Sequence, residues 1–157
     1  MAGQATSINN LALIEIERKN FIQAEQFFRE ALKIRKKKND KSDKPHSYLW
    51  LAVLYYKWGK FGRISTMCDS SDIAVENYSI SDKSIESRYL GMAEQYRGIF
   101  YDHIGNSIKS VSSFNKALEH YEKLPIEKTR LLSIISSLKF EKGKLSEALS
   151  NTNEALS

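Results

Sequence analysis

The most reactive side chains of this chain are a single cysteine, Cys68, and three histidines, His46, His103 and His120. A thiolate nucleophile needs an activating base, and the sequence identifies none for Cys68, so we expect a small buried core residue there. The histidines are far apart, and none has the spacing of a metal site. Asp102 and His103 are adjacent, so on a helix their side chains point to different parts of the surface. Together with the lack of a phosphate-binding loop or nucleophile elbow, this predicts no enzyme, no metal and no cofactor.

Most of the net charge of +5 lies in one short segment, Arg35 to Lys44, which has six basic and two acidic residues. Such a patch can contact nucleic acid or an acidic partner. Proteins that bind single-stranded nucleic acid have aromatic residues between their basic ones, and this segment has none. Basic residues are also favourable at the C-terminus of a helix because of the helix dipole. We therefore expect a solvated helix end and loop here, and no binding of nucleic acid.

Length and composition are those of one compact domain or a short array of repeats. The 157 residues are 41% hydrophobic and 27% charged, and only two of them are prolines, Pro45 and Pro125, which favours long helices. The longest nearly continuous apolar run, Tyr48 to Tyr56, is much shorter than the roughly 20 residues that span a bilayer. The N-terminus lacks the apolar core of a secretory signal, and a lone cysteine fits a reducing compartment. These features predict a soluble cytoplasmic protein without a membrane segment.

Four short turn-forming segments recur along the chain, at intervals of 40, 46 and 38 residues. Each lies between two stretches of helical apolar periodicity, and three of the four begin with glycine, which ends a helix at low cost. Repetition at such intervals is typical of helical solenoids. The predicted turns are Lys19-Asn20-Phe21, Gly59-Lys60-Phe61, Gly105-Asn106-Ser107 and Gly143-Lys144-Leu145.

The helix after each turn carries residues at spacings of four and three, which lie on one helical face. In the clearest cases the outer two are small, so that neighbouring helices can approach, and the middle one is large and fills the gap. Repeat two has the weakest pattern, and we still predict a helix there. The sets are Ala24, Phe28 and Ala31; Ile64, Cys68 and Ser71; Ser110, Phe114 and Ala117; and Ala148, Thr152 and Ala155.

These patterns resemble the tetratricopeptide repeat, a helix–turn–helix unit with an aromatic residue, a leucine and a tyrosine on its first helix and an alanine and a phenylalanine on its second. Tyr48, Leu51 and Tyr55 match the first helix, and Ala24 and Phe28 match the second. The resemblance implies an all-α fold, a right-handed α-solenoid of about four helix–turn–helix repeats. These would form a single domain, with repeats at about residues 5–39, 45–78, 82–124 and 128–157.

The intervals are longer than is usual in the family. In repeat three, Ser81 is a predicted N-cap, and the first helix would run from Asp82 to Ile104. Long, degenerate repeats of this kind are similar to those of bacterial peptide-pheromone receptors, which include the Rap-type phosphatases and the PlcR-like transcription regulators. Their DNA-binding domain or helical bundle is not found in this sequence.

In this family the first helices line a concave groove, and by resemblance an apolar strip with a few amides and charges would hold a peptide there. Co-chaperone members bind a carboxylate with basic groove residues. None of the matching positions here is basic, Trp50, Met92 and Tyr96 among them, so that ligand is not expected. The alternative is that the apolar members simply pack between helices. The predicted peptide- or protein-binding residues are Asn9, Leu13, Leu49, Val53, Tyr56, Gln95, Ile99, His103 and Phe140.

Three functions follow from these features. The preferred one is a scaffold that recognises a peptide or protein partner through the groove, and the second is the peptide-sensing C-terminal domain of a bacterial transcriptional or phosphatase regulator. The third is self-association. A solenoid needs terminal helices with a polar outer face, and the helix from Leu145 to Ser157 has an apolar strip. We therefore expect either a longer array or a homodimer through this C-terminal helix.

Overall fold

The computed structural model describes residues 2–37, 43–78 and 80–156, with their side chains except those of residues 2, 140 and 144–156. The described residues form seven α-helices and one 3-10 turn, and they include no strand, so the predicted all-α class is confirmed. The helices are α1 (Ala2–Glu17), α2 (Phe21–Lys37), α3 (Lys44–Trp58), α4 (Ile64–Asn77), α5 (Lys83–His103), α6 (Ser107–His120) and α7 (Pro125–Leu156), and the 3-10 turn is Phe61–Arg63.

The first six helices form three hairpins that stack in chain order. α1 packs on α2, α3 on α4 and α5 on α6, while α2 also contacts α3 and α4 contacts α5. The second and third hairpin turns pass through glycines with left-handed backbone, Gly59 at φ 76° and Gly105 at φ 78°. A side chain would be strained there, which explains the choice of glycine. The stacked hairpins are the helical-repeat solenoid that the recurring turns predicted.

The long helix α5 begins at a side-chain cap one residue beyond the predicted one. Asp82, and not Ser81, accepts hydrogen bonds from the backbone N–H groups of Ser84 and Ile85, at 2.9 and 3.3 Å. Such a cap pairs N–H groups that have no partner within the helix. From this start α5 extends for 21 residues, close to the predicted span.

The predicted small and large residues of the first three sets lie in the core as expected, while the side chains of the fourth set, Ala148, Thr152 and Ala155, lie outside the described residues. Phe28 is fully buried between Ala24 and Leu32 of its own helix and residues of α1 and α3, and Phe114 is buried with Ala117 in a second cluster. Full burial of a side chain of this size contributes about 1.5–3 kcal/mol. The triplets therefore identify the faces that join neighbouring helices.

Two glycines on α5 allow α6 to lie directly against the α5 backbone. A Cβ atom added at Gly98 would stand 2.5 Å from the ring of Phe114, and one added at Gly91 would overlap the ring of Tyr121. Positions seven residues apart share one face of a helix. This face of α5 is consequently restricted to glycine where the two rings cross it.

The fourth predicted turn is wrong, because α7 continues through Gly143-Lys144-Leu145 as one helix of 32 residues. Unlike Gly59 and Gly105, Gly143 does not have a positive φ. A glycine in a helix interior costs about 1 kcal/mol relative to alanine, which weakens a helix without ending it. In the described chain, the predicted fourth pair of helices is therefore a single helix.

Two cations of the basic segment are buried, against the expectation of a fully solvated patch. Arg35 is only 3% exposed and donates a 2.6 Å hydrogen bond to Ser47 Oγ, with Asp43 Oδ2 at 3.6 Å. Lys44 is also buried, and its Nζ donates to the hydroxyl of Tyr78 at 2.9 Å. These two side chains join helices, while the middle of the segment lies outside the described residues.

Candidate functional site

A groove opens between α3, α5 and α7. Its volume is about 520 Å³, within the range of about 300–1,000 Å³ that is usual for ligand sites in proteins. The lining residues are His46, Trp50 and Val53 from α3; Arg88, Met92, Gln95 and Tyr96 from α5; Tyr121 just after α6; and Glu127, Arg130, Ser133 and Ile134 from α7.

Helical spacing brings these residues to the groove. On α3 the lining positions 46, 50 and 53 follow one another at steps of four and three, and α5 repeats those steps at positions 88, 92 and 95. Steps of three and four keep side chains on one face of a helix. α3 and α5 therefore each present one continuous row of side chains to the groove, while other side chains of the same helices pack against neighbouring helices.

Aromatic rings with fixed neighbours form the apolar part of the groove. Trp50 stacks nearly parallel on the buried Phe28, with ring centroids 6.2 Å apart, and the ring of His46 lies 5.6 Å from that of Trp50. Tyr96 meets Tyr56 edge to face at 5.9 Å. Pairs of this kind add about 0.5–1.5 kcal/mol beyond the burial of area. Because the rings are already held in place, a ligand that contacts them loses little affinity to side-chain ordering.

The charged groups of the groove come from α5 and α7. Arg88 Nε donates to Glu127 Oε1 at 2.9 Å, and this pair connects the two helices. Arg130, one turn further along α7, is exposed and forms no ion pair with any described residue. Gln95 accepts a long hydrogen bond of 3.4 Å from the Tyr121 hydroxyl. The groove thus contains one paired cation and one unpaired cation beside its apolar surface.

Burial determines the protonation states of the ring side chains. The pKa of His46 is lowered chiefly by burial, and Arg35 and Arg88 lower it further, while Asp43 acts in the opposite direction. Burial also raises the pKa of Tyr96 well above its usual value. At neutral pH the imidazole is therefore uncharged and the phenol keeps its proton. The net charge of the groove then depends on its arginines and its glutamate.

Two of the predicted binding residues, Val53 and Gln95, line the groove. Tyr56 is exposed beside it, in contact with one of the lining rings. Leu13 lies on α1, where it is partly buried against the first core cluster. The side chain of Phe140 lies outside the described residues. The structure thus brings the α3 and α5 predictions together and places the α1 prediction elsewhere.

The other predicted residues have little or no contact with the groove. Leu49 and Ile99 are buried in the helix packing, as the alternative interpretation of the sequence expected, and the polar Asn9 is buried as well. His103 is exposed, and its ring stacks on Phe61 with centroids 3.7 Å apart. Leu49 is 0% exposed, Ile99 4% and Asn9 5%, so these side chains offer a partner little or no surface, and even Val53, which lines the groove, is only 7% exposed.

Several groove residues were not among those predicted. From the sequence, Trp50, Met92 and Tyr96 stand out only as positions that lack the basic groups of a carboxylate clamp. Their large side chains at groove-facing positions would have been enough to predict that they contact a ligand. Arg88 and Glu127 gave none, because 39 residues separate the two partners of the ion pair.

The groups that could perform chemistry elsewhere are engaged in packing. Cys68 is fully buried in the core, and burial raises the pKa of its thiol to about 12, so it does not form a thiolate at neutral pH. The carboxylate of Asp102 pairs with Lys142. Its neighbour His103 stacks on an aromatic ring, as described above, so the two do not form a dyad. Among the described residues, no group of three or more histidine, cysteine, aspartate or glutamate side chains is arranged to hold a metal ion.

A family model for the tetratricopeptide repeat matches residues 4–43, which include most of α1 and all of α2. No curated protein sequence matches the chain. In the part of the chain that the structure describes, no helix combines the length and apolarity needed to cross a membrane.

Proposed function

We propose that this chain binds a peptide segment of a partner protein in the groove between α3, α5 and α7. The match of a tetratricopeptide-repeat family model to residues 4–43 and the all-α helical-repeat fold support this proposal. Repeats of this family generally mediate protein–protein interactions. The observation that carries the proposal is the groove itself, an accessible concavity with ordered rings on α3 and α5 and charged groups on α7.

The composition of the groove supports a peptide as its ligand. Trp50 and Met92 offer apolar contact to a side chain, while Gln95 and Ser133 offer hydrogen bonds to a peptide backbone. Such a combination of apolar surface and a few polar groups is usual in sites that bind peptides. Large aromatic anchors also tend to supply most of the free energy of binding.

We propose a binding role and no enzymatic one, in the cytoplasm, where reducing conditions suit a single buried cysteine. A peptide-sensing domain of a regulator would use the same groove, so the binding experiment below applies to it as well. A homodimer through Leu145 to Ser157 would involve side chains outside the described residues. It is a separate prediction that the groove neither requires nor replaces.

Binding of the full chain to an array of short peptides tests the proposal. Met92→Lys places a charge against the apolar part of the groove, and we expect it to weaken binding of the selected peptides by about tenfold or more. Ile108→Lys is the matched control, because Ile108 lies on α6 outside the groove and is 86% exposed. Circular dichroism should show equal helix content for both variants. If the two variants bind equally well, the groove is not the binding site.

A further inference from the structure

We infer that the groove selects a peptide segment in which an acidic side chain stands close to a large apolar one. This rests on the proposed function and specifies the chemistry of its ligand. Four ionisable side chains other than tyrosine line the groove, namely His46, Arg88, Glu127 and Arg130. Their balance of charge decides which ligand is favoured.

At neutral pH the four ionisable side chains of the groove carry a net charge of one positive unit. His46 is uncharged at neutral pH, as its buried surroundings require. Arg88 and Glu127 neutralise each other through their 2.9 Å contact, and Arg130 is left as a cation with no ion-pair partner in the described chain. An arginine in this state offers a planar set of donors that matches a carboxylate. The net charge of +5 on the whole chain also favours the approach of an acidic partner.

The position of Arg130 defines where the acidic side chain would lie. Ser133 and Ile134 follow it on α7 at steps of three and four, and all three line the groove. Residues at these steps on a helix have Cβ atoms about 5–6 Å apart. A ligand whose apolar side chain contacts Ile134, with Met92 of α5 as another apolar residue of the lining, therefore has its neighbouring positions within reach of the guanidinium.

The test uses the full chain and synthetic peptides that share one apolar anchor, tryptophan or leucine. The adjacent position is varied among glutamate, glutamine and lysine. We expect glutamate peptides to bind about twofold to fivefold more tightly than their glutamine counterparts, because an exposed ion pair is worth up to about this much. The preference should shrink as salt is raised to about 1 M, where charges are screened over about 3 Å. Tryptophan fluorescence of Trp50 in a Trp58→Phe background can report binding of the leucine peptides.

Charge reversal on α7 tests whether the preference for acidic peptides comes from Arg130 or from non-specific binding. Arg130→Glu should shift the preference from glutamate peptides to lysine peptides, whereas Lys128→Glu makes the same charge change on the same helix at a position that does not line the groove. If peptides bind and Met92→Lys abolishes the binding, but Arg130→Glu and Lys128→Glu behave alike, the acidic selectivity is wrong and the groove function stands. If no peptide binds in the groove, both are overturned.

Discussion

Replacing Gly98 with alanine tests how closely α6 packs on α5. The added methyl group would stand 2.5, 2.6 and 2.9 Å from three carbons of the Phe114 ring. The ring is buried, so it cannot rotate into solvent without leaving the core. The backbone is held at the same point, because the hydroxyl of Ser110 donates to the carbonyl of Gly98 at 3.0 Å. Relief of the overlap therefore requires a movement of α6.

Two opposing effects determine the change in stability. In a helix interior, alanine is favoured over glycine by about 1 kcal/mol. Overpacking a core costs about 1–3 kcal/mol, and overlap with three ring atoms places this site in the upper part of that range, at about 2–3 kcal/mol. We therefore expect the free energy of unfolding to fall by about 1–2 kcal/mol. For a chain of this size the melting temperature would fall by about 2–8 °C.

Thermal and urea unfolding followed by circular dichroism can measure this change. Gly143→Ala is the matched control, since Gly143 lies inside α7 and, apart from the adjacent residues and the backbone of the helix itself, no atom of the described residues stands within 4 Å of its added Cβ. It should stabilise the chain by up to about 1 kcal/mol. Phe114→Leu introduced into the Gly98→Ala chain should recover part of the loss, which a double-mutant cycle would detect. Equal stabilisation by the two glycine substitutions would refute the close contact between α5 and α6.

Two further outcomes test the core and the titration of the groove. Phe28→Ala should lower the free energy of unfolding by about 3–5 kcal/mol, because it empties a fully buried site, while the exposed Lys37→Ala should change it by less than about 0.5 kcal/mol in the same urea titration. The lowered pKa of His46 means that the unfolded chain takes up this proton first. The contribution of His46 to stability should thus be constant above the unfolded pKa of about 6.5, and fall as the pH decreases from there toward the lowered folded pKa. His46→Gln should flatten this part of the pH profile, and an unchanged slope would show that other groups cause it.

The sequence predicted the hairpins well where local chemistry dictates them. Gly59 and Gly105 supply the left-handed backbone that the turns need, and residues spaced by three and four positions mark the buried faces. The prediction of a turn at Gly143 is wrong, because this turn-like tripeptide is part of a long helix. The difference between a turn and a continuous helix depends on whether tertiary contacts stabilise the second helix against the first, and local sequence does not contain this information.

The groove was only partly predictable, because its lining depends on how each helix is rotated about its axis. Val53 and Gln95 line the groove. Leu49, four residues before Val53, and Ile99, four residues after Gln95, point into the core. The resemblance to the repeat family implies a row of groove-facing residues that includes all four. Narrowing it requires the crossing angles of the helices, which follow from the ridges that pack together.

The packing of α6 on α5 also shapes the groove, because Tyr121 takes part in both. Its ring occupies the space over Gly91 that a side chain would need, and its hydroxyl donates to Gln95, one turn further along α5. Gly91 does not line the groove, yet it permits the ring to stand where it forms part of the groove wall. Any larger residue at position 91 would push Tyr121 away from α5 and release its hydrogen bond to Gln95. A glycine that permits close helix packing thereby also fixes the position of part of the groove wall, so a substitution at Gly91 should change both the packing of α6 on α5 and the shape of the proposed binding groove.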